Sequence, residues 1–136
     1  MGLFGAIQTS GNGMTVFRTW LDAVADNIAN IDTVRSTDEE AFRARYIEAE
    51  AIGYSGDGIG EGSRVSAVRF GNAEGRIVSD PDHPLADEQG LVRMPDIDLG
   101  DQMTQLIGAQ RGYQANLAVV ERARDAYTQA IGIGRG

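Results

Sequence analysis

Apolar residues recur with a helical rhythm at both ends of this chain and lose it in the middle. Stepping alternately by four and three from Leu3 gives Leu3, Ile7, Ser10, Met14, Phe17, Leu21, Val24, Ile28 and Ile31, with Ser10 the one polar position. The same steps from Leu99 give Leu99, Met103, Leu106, Gln110, Tyr113, Leu117, Val120, Arg124, Tyr127 and Ile131, broken only at Gln110 and Arg124. Such steps average about 3.5 residues, the period that holds an apolar seam on one side of a helix. The spacing predicts two long terminal helices, each in want of a helical partner. Two helices of one chain packed on each other would carry the same signature.

Local signals set the boundaries. Asn30 suits the end of the first helix, because Asn tolerates the left-handed backbone that closes one. Asp98 suits the N-cap of the second, with Asp101 three residues on and Pro95 marking a break upstream. Gly132, Gly134 and Gly136 dissolve the second pattern near Gly132. Strand-like runs lie between, at Phe42–Ala51, Arg64–Phe70, Arg76–Ser79 and Leu91–Met94, and the glycine cluster Gly53–Gly62 reads as turns. The expected fold class is α+β: a helix over 1–33, a β-rich acidic segment over 34–97 and a helix over 98–136, the helices packed in a coiled-coil-like core. Gly11, Gly13, Gly108 and Gly112 interrupt the helices at roughly 1 kcal/mol each against Ala. Helices so weakened are expected to order when neighbours bury their seams.

Charge sharpens this division. Residues 34–98 hold 14 of the 20 acidic residues against 7 Arg, while the ends hold 6 acidic residues and 5 Arg. Near-neutral helices can pack on copies of themselves, and an acidic middle belongs in solvent. The net charge of −8 argues against nucleic acid, which needs a basic face. All twelve basic residues are Arg, so a Walker A loop, which needs Lys, is excluded. There is no Cys to form a disulfide or a thiolate site. No run approaches the ~20 apolar residues of a membrane span, and Met1–Phe17 lacks the basic head of a secretory signal. The residues alone would leave the protein in the cytoplasm.

Candidate chemistry is thin. His83, the only His, sits in Pro81-Asp82-His83-Pro84, where no nucleophile or oxyanion site accompanies it, so it reads as a turn residue. An EF-hand loop counted from Asp80 or Asp96 puts Leu85 or Asp101 at its sixth position, where Gly is required. No catalytic residue, metal ligand or cofactor site is expected.

Three stretches carry a family resemblance. Asn27-Ile28-Ala29-Asn30 followed by Thr33 resembles the Asn-Leu-Ala-Asn-x-x-Thr signature of bacterial flagellar rod and hook proteins. Arg111-Gly112-Tyr113-Gln114-Ala115-Asn116 resembles their C-terminal Arg-Ser-Tyr-Gln-Ala-Asn motif. Pro84-Leu85-Ala86-Asp87, Gly90-Leu91-Val92-Arg93-Met94-Pro95 and Asp96-Ile97-Asp98 resemble a Pro-Leu-Ala-Asp…Gly-Tyr-Val-Lys-Met-Pro-Asn-Val-Asp run of the family's proximal rod members. The likeness spans the chain, loosely over 35–80. Trp20 stands where Arg is frequent, Gly112 where Ser or Ala is usual, and Arg93 replaces a Lys. Gly112 should loosen the second helix.

The flagellar basal-body rod resemblance implies a non-enzymatic subunit of the periplasmic drive shaft. Such a subunit is exported unfolded through the flagellar type III apparatus without a cleaved signal. Its terminal helices then assemble with copies of itself and other rod subunits. The implied interface comprises Leu3, Ile7, Met14, Phe17, Leu21, Val24, Asn27, Ile28 and Asn30 of the first helix. From the second it takes Leu106, Tyr113, Gln114, Asn116, Leu117, Val120 and Tyr127. Asn27 and Asn116 are expected to hydrogen-bond near subunit contacts, and Asn30 to sit in a cap or turn. The alternative is a soluble helical adaptor that receives a partner helix in a groove.

Overall fold

A computed structural model describes residues 2–54, 56 and 60–136. The elements follow as α1 (Leu3–Ala29), β1 (Arg45–Ala51), β2 (Ser63–Phe70), β3 (Arg76–Ser79), β4 (Leu91–Met94) and α2 (Leu99–Gly134). The class is α+β: two long terminal helices, with antiparallel strand pairs β1–β2 and β3–β4 between them. Of the expected glycine-rich turn, Ser55, Asp57, Gly58 and Ile59 lie outside the described residues. By its internal contacts the chain forms two compact units.

The first unit gathers Met1–Leu21, Glu48–Ala67 and Ile107–Gly136. Here α1 and α2 run antiparallel, with Phe17 facing Gly112, Gly13 facing Asn116 and Phe4 meeting Tyr127 edge-on at 5.6 Å. Ser10, Val16, Ala109 and Ala123 are buried. Small residues at the crossing let the backbones approach, as ridge-into-groove packing demands. The β1–β2 connection is tied to α1: Asn12 Nδ2 donates to the Glu61 carbonyl at 2.9 Å. Gly62, at φ +101°, follows; a Cβ there would lie 3.2 Å from the Thr9 carbonyl oxygen.

The second unit gathers Asp22–Ile47 and Val68–Leu106 around Ala23, Val24, Ala41, Ala44, Val92, Pro95 and Ile97. In it β3 and β4 pair antiparallel, Arg76 opposite Met94 and Ser79 opposite Leu91. Gly75 enters β3 at φ +58°, where a Cβ would stand 2.1 Å from the Met94 carbonyl oxygen, so no larger residue fits.

Several details differ from expectation, among them a β2 that starts at Ser63 rather than Arg64. Regular β1 begins at Arg45 rather than Phe42; before it the chain is held by separate bonds, Ala41 N–H to the Ala73 carbonyl and Gly71 N–H to the Ala44 carbonyl, and at Arg45 it is pinned by the Asn27 side chain. Asn30 closes α1 without a left-handed backbone, since no described residue other than Gly has positive φ. Its side chain closes the helix instead: Nδ2 donates to the Asp26 carbonyl at 2.9 Å and Oδ1 accepts from Thr33 Oγ1 at 3.2 Å. And α2 continues to Gly134, one half-turn past Gly132. Asp98 does cap α2, its Oδ1 accepting from the Asp101 N–H at 2.8 Å.

Candidate assembly surface

The two halves of the Asn-x-x-Asn-x-x-Thr stretch do different work inside one chain. Asn27 is fully buried. Its Oδ1 accepts from the Arg45 N–H at 2.8 Å, and its Nδ2 donates to the Arg45 carbonyl and to Gln102 Oε1, both at 3.0 Å. One amide thus pins the start of β1 and the first turns of α2 to α1. Arg45 adds an ion pair to Asp26 at 3.1 Å, partly exposed and so worth little by itself. Asn30 and Thr33 form the helix-end clasp. Gln102 was invisible in the sequence, because it lies in a polar first turn where only the fold reveals its burial.

Along α1 the expected seam is the covered face: Leu3, Ile7, Met14, Phe17, Leu21 and Ile28 are half-buried and Val24 is buried. Trp20 stacks on Phe17 with ring centroids 6.0 Å apart.

Along α2 the covered face is offset. The deepest positions are Gln102, Ala109 and Ala123, with Asn116 half-buried, a spacing of seven built from small and polar residues. The apolar seam lies about a quarter-turn round the helix from them. Leu106, Tyr113 and Val120, at its edge, are half-buried. Leu99, Met103, Leu117, Tyr127 and Ile131 are exposed, as is Gln114. Ile107 and Val119 add to the uncovered apolar surface. Asn116 donates to the Gly112 carbonyl of its own helix at 3.0 Å. Uncovered apolar positions clustered on a monomer, here Leu117, Val119, Tyr127 and Ile131 in the first unit and Leu99 and Met103 in the second, mark interaction surfaces.

The Pro84–Asp98 stretch is a scaffold of turns. Asp87 accepts from the Leu91 N–H at 2.9 Å, the Gln89 N–H at 2.9 Å and Thr37 Oγ1 at 3.0 Å. The Leu91 bond above all, with Thr37 and Gln89, holds its carboxyl below the usual carboxylate range, against a smaller opposing effect of burial. Arg93 reaches the carbonyls of Glu74 and Thr37 and exchanges backbone bonds with Arg35. A Lys could not form that fork. His83 Nδ1 accepts from the Leu85 N–H at 3.0 Å, a turn contact. Among the described residues no cluster of metal-ligating side chains occurs, and no helix is long and apolar enough to cross a membrane.

Comparison with known proteins agrees with this layout. The family model described as "Flagella basal body rod protein" matches residues 7–35, and "Flagellar basal body rod FlgEFG protein C-terminal" matches residues 88–133. The chain is 31% identical to the flagellar basal-body rod protein FlgC of Borreliella burgdorferi over the whole of both chains. It is 31% identical to FlgC of Yersinia enterocolitica, covering 99% of this chain and 100% of that one. It is 26% identical to FlgC of Bacillus subtilis with the same coverage. The chain belongs to the flagellar basal-body rod protein family and is a structural subunit of the basal body. Within that family its likeness is to FlgC, along its full length.

Proposed function

We propose that this chain is a non-catalytic, self-assembling subunit of the proximal rod, joined to copies of itself and to other rod subunits through its terminal helices. Residues 1–33 and 98–136 form the inner core of the shaft, and residues 34–97 lie outside it, in the periplasm. The subunit reaches the rod through the flagellar type III export apparatus and transmits torque once interlocked.

One observation carries this reading: the apolar positions Leu99, Met103, Leu117, Tyr127 and Ile131 of α2 stay partly exposed in their own chain, Tyr127 even with Phe4 against it. A soluble subunit gains nothing from such positions, whereas a helical assembly buries them repeatedly. The α1 residues Leu3, Ile7, Met14, Phe17, Leu21 and Ile28 are half-buried and can complete the same contacts from their open edges. Asn27 and Val24, sealed inside the subunit, support the interface by shaping it.

The test is Leu117→Asp in the motile organism. The expected result is a folded, exported subunit that fails to enter the basal body, with motility lost. His83→Ala, at a turn, should leave both intact. Normal rods built from the Leu117→Asp subunit would refute the assignment.

A further inference from the structure

The second unit carries a basic aromatic hollow on its surface. A cavity of about 320 Å³ is lined by Ala41, Phe42, Arg43, Arg45 and Phe70. Arg43 lies over the Phe70 ring, 5.4 Å from its centroid, and its Nε donates to the Gly71 carbonyl at 3.0 Å. Phe70 is 51% exposed, and Tyr46 and Val68 beside it are exposed too. Among the described residues Arg43 forms no ion pair. A guanidinium stacked on an aromatic ring keeps its N–H edge free for a carboxylate.

The complementary chemistry lies in the same unit. Ser36–Glu39 form a tight turn closed by the Glu39 N–H on the Ser36 carbonyl at 3.1 Å. Asp38, Glu39 and Glu40 are exposed on it, Glu74 is exposed nearby, and none of the four is ion-paired among the described residues. The Ala41 N–H to Ala73 carbonyl bond, 2.9 Å, joins the strip to the hollow's lining at Ala41. The four carboxylates outnumber the single Arg93 guanidinium among them. Among the described residues Arg43 has no carboxylate in the hollow, so a chain segment that joins the two can fill the hollow of a second copy with its own turn.

We infer that the Phe42–Arg43–Phe70 hollow receives the Asp38–Glu40 turn of a neighbouring copy of this chain. Two different surfaces meet, so the contact is heterologous, the kind that extends along an open helix where its rotation does not close a ring. It rests on the reading that copies assemble, and adds a contact between their middle segments to that of the helices. Although tied to α1 at Glu61 and at Arg45, the β1–β2 pair is exposed along most of both strands. Docking of a neighbour supplies the cover it lacks.

The absence of Cys makes the test clean. Two copies are co-expressed, one bearing Glu39→Cys and the other Val68→Cys, exposed on the same strand face as Phe70 at the rim of the hollow, and basal bodies are isolated under mild oxidation. The expected product is a disulfide-linked pair of this chain. Its yield should fall at least about tenfold when Arg43→Glu is added to the Val68→Cys copy. Adding Glu40→Arg to the Glu39→Cys copy should then recover it. Circular dichroism of each purified variant confirms that it folds. Assembled rods with no such pair, cross-links to a different rod subunit, or a pair indifferent to Arg43→Glu would overturn the inference while leaving helix-driven assembly standing. If Leu117→Asp also left rods intact, the assembly reading would fall as well.

Discussion

Gly112 exists to make room for Phe17. A Cβ on Gly112 would stand 2.4 Å from two ring carbons of Phe17, closer than any tolerated contact. Phe17 is also stacked on Trp20, which limits how far its ring can yield. The glycine that weakens α2 in isolation is what lets α1 and α2 close on each other in the first unit.

The glycines of α2 should therefore respond with opposite signs. Gly108→Ala meets nothing and should stabilise the subunit by up to about 1 kcal/mol through helix propensity. Gly112→Ala gains the same propensity but overpacks the crossing, at a cost of about 1–3 kcal/mol, and should be net destabilising. Thermal unfolding of the two variants decides it; two stabilised proteins would mean that Phe17 is free to move.

Asn27→Leu should destabilise the subunit itself. It strands the Arg45 N–H and carbonyl and leaves the Gln102 amide without this partner, each unpaired buried group costing ~1–3 kcal/mol. Asn116→Leu loses only a bond to its own helix and should cost less in denaturant titration. Equal losses would contradict the central place given to Asn27.

Val24→Asp and Leu117→Asp should fail in different ways. Val24 is 1% exposed, so an Asp there buries an unpaired charge and should unfold its unit. Leu117 is 36% exposed, so its variant should fold and fail only to assemble. Circular dichroism of both proteins separates the cases, and an unfolded Leu117→Asp protein would contradict the exposed placement of that residue.

Asp87 should make the second unit sensitive to acid. Its folded-state pKa is depressed below the ordinary value of about 3.9, so its stabilisation is complete above that value. It is lost as the pH falls through the lower, folded-state value. Asp87→Asn should be less stable than the parent at neutral pH and should flatten this acid limb. Unfolding curves taken between pH 7 and pH 2 would show the parent and variant converging in acid; parallel curves would sink the assignment.

The helices, the four strands and the Asp98 cap were legible because each rests on local rules of period, turn chemistry and capping. The face of α2 that packs within the chain was not. Hydrophobic periodicity follows the bulky Leu99, Met103, Leu117 and Tyr127, whereas a close helix crossing selects the small Ala109, Gly112 and Ala123. Both repeats have the same period and run side by side, so sequence alone gives no phase between them. The Asn27–Arg45–Gln102 network was hidden for another reason: its members are far apart in the chain and each is individually ordinary on a surface. Asn27 stood out only through its family signature, which marks the residue without revealing its partners.

Thiol labelling tests the central claim most directly. The chain has no Cys, so Leu117→Cys and Tyr127→Cys each introduce a single reporter at a partly exposed apolar position of α2. In the free subunit both should react with a maleimide as fast as an exposed control at Glu61→Cys. In isolated basal bodies both should be protected while the control still reacts. Equal labelling of Leu117→Cys and Tyr127→Cys in the free and assembled states would contradict the assignment of these positions to the surface through which the subunit joins the rod.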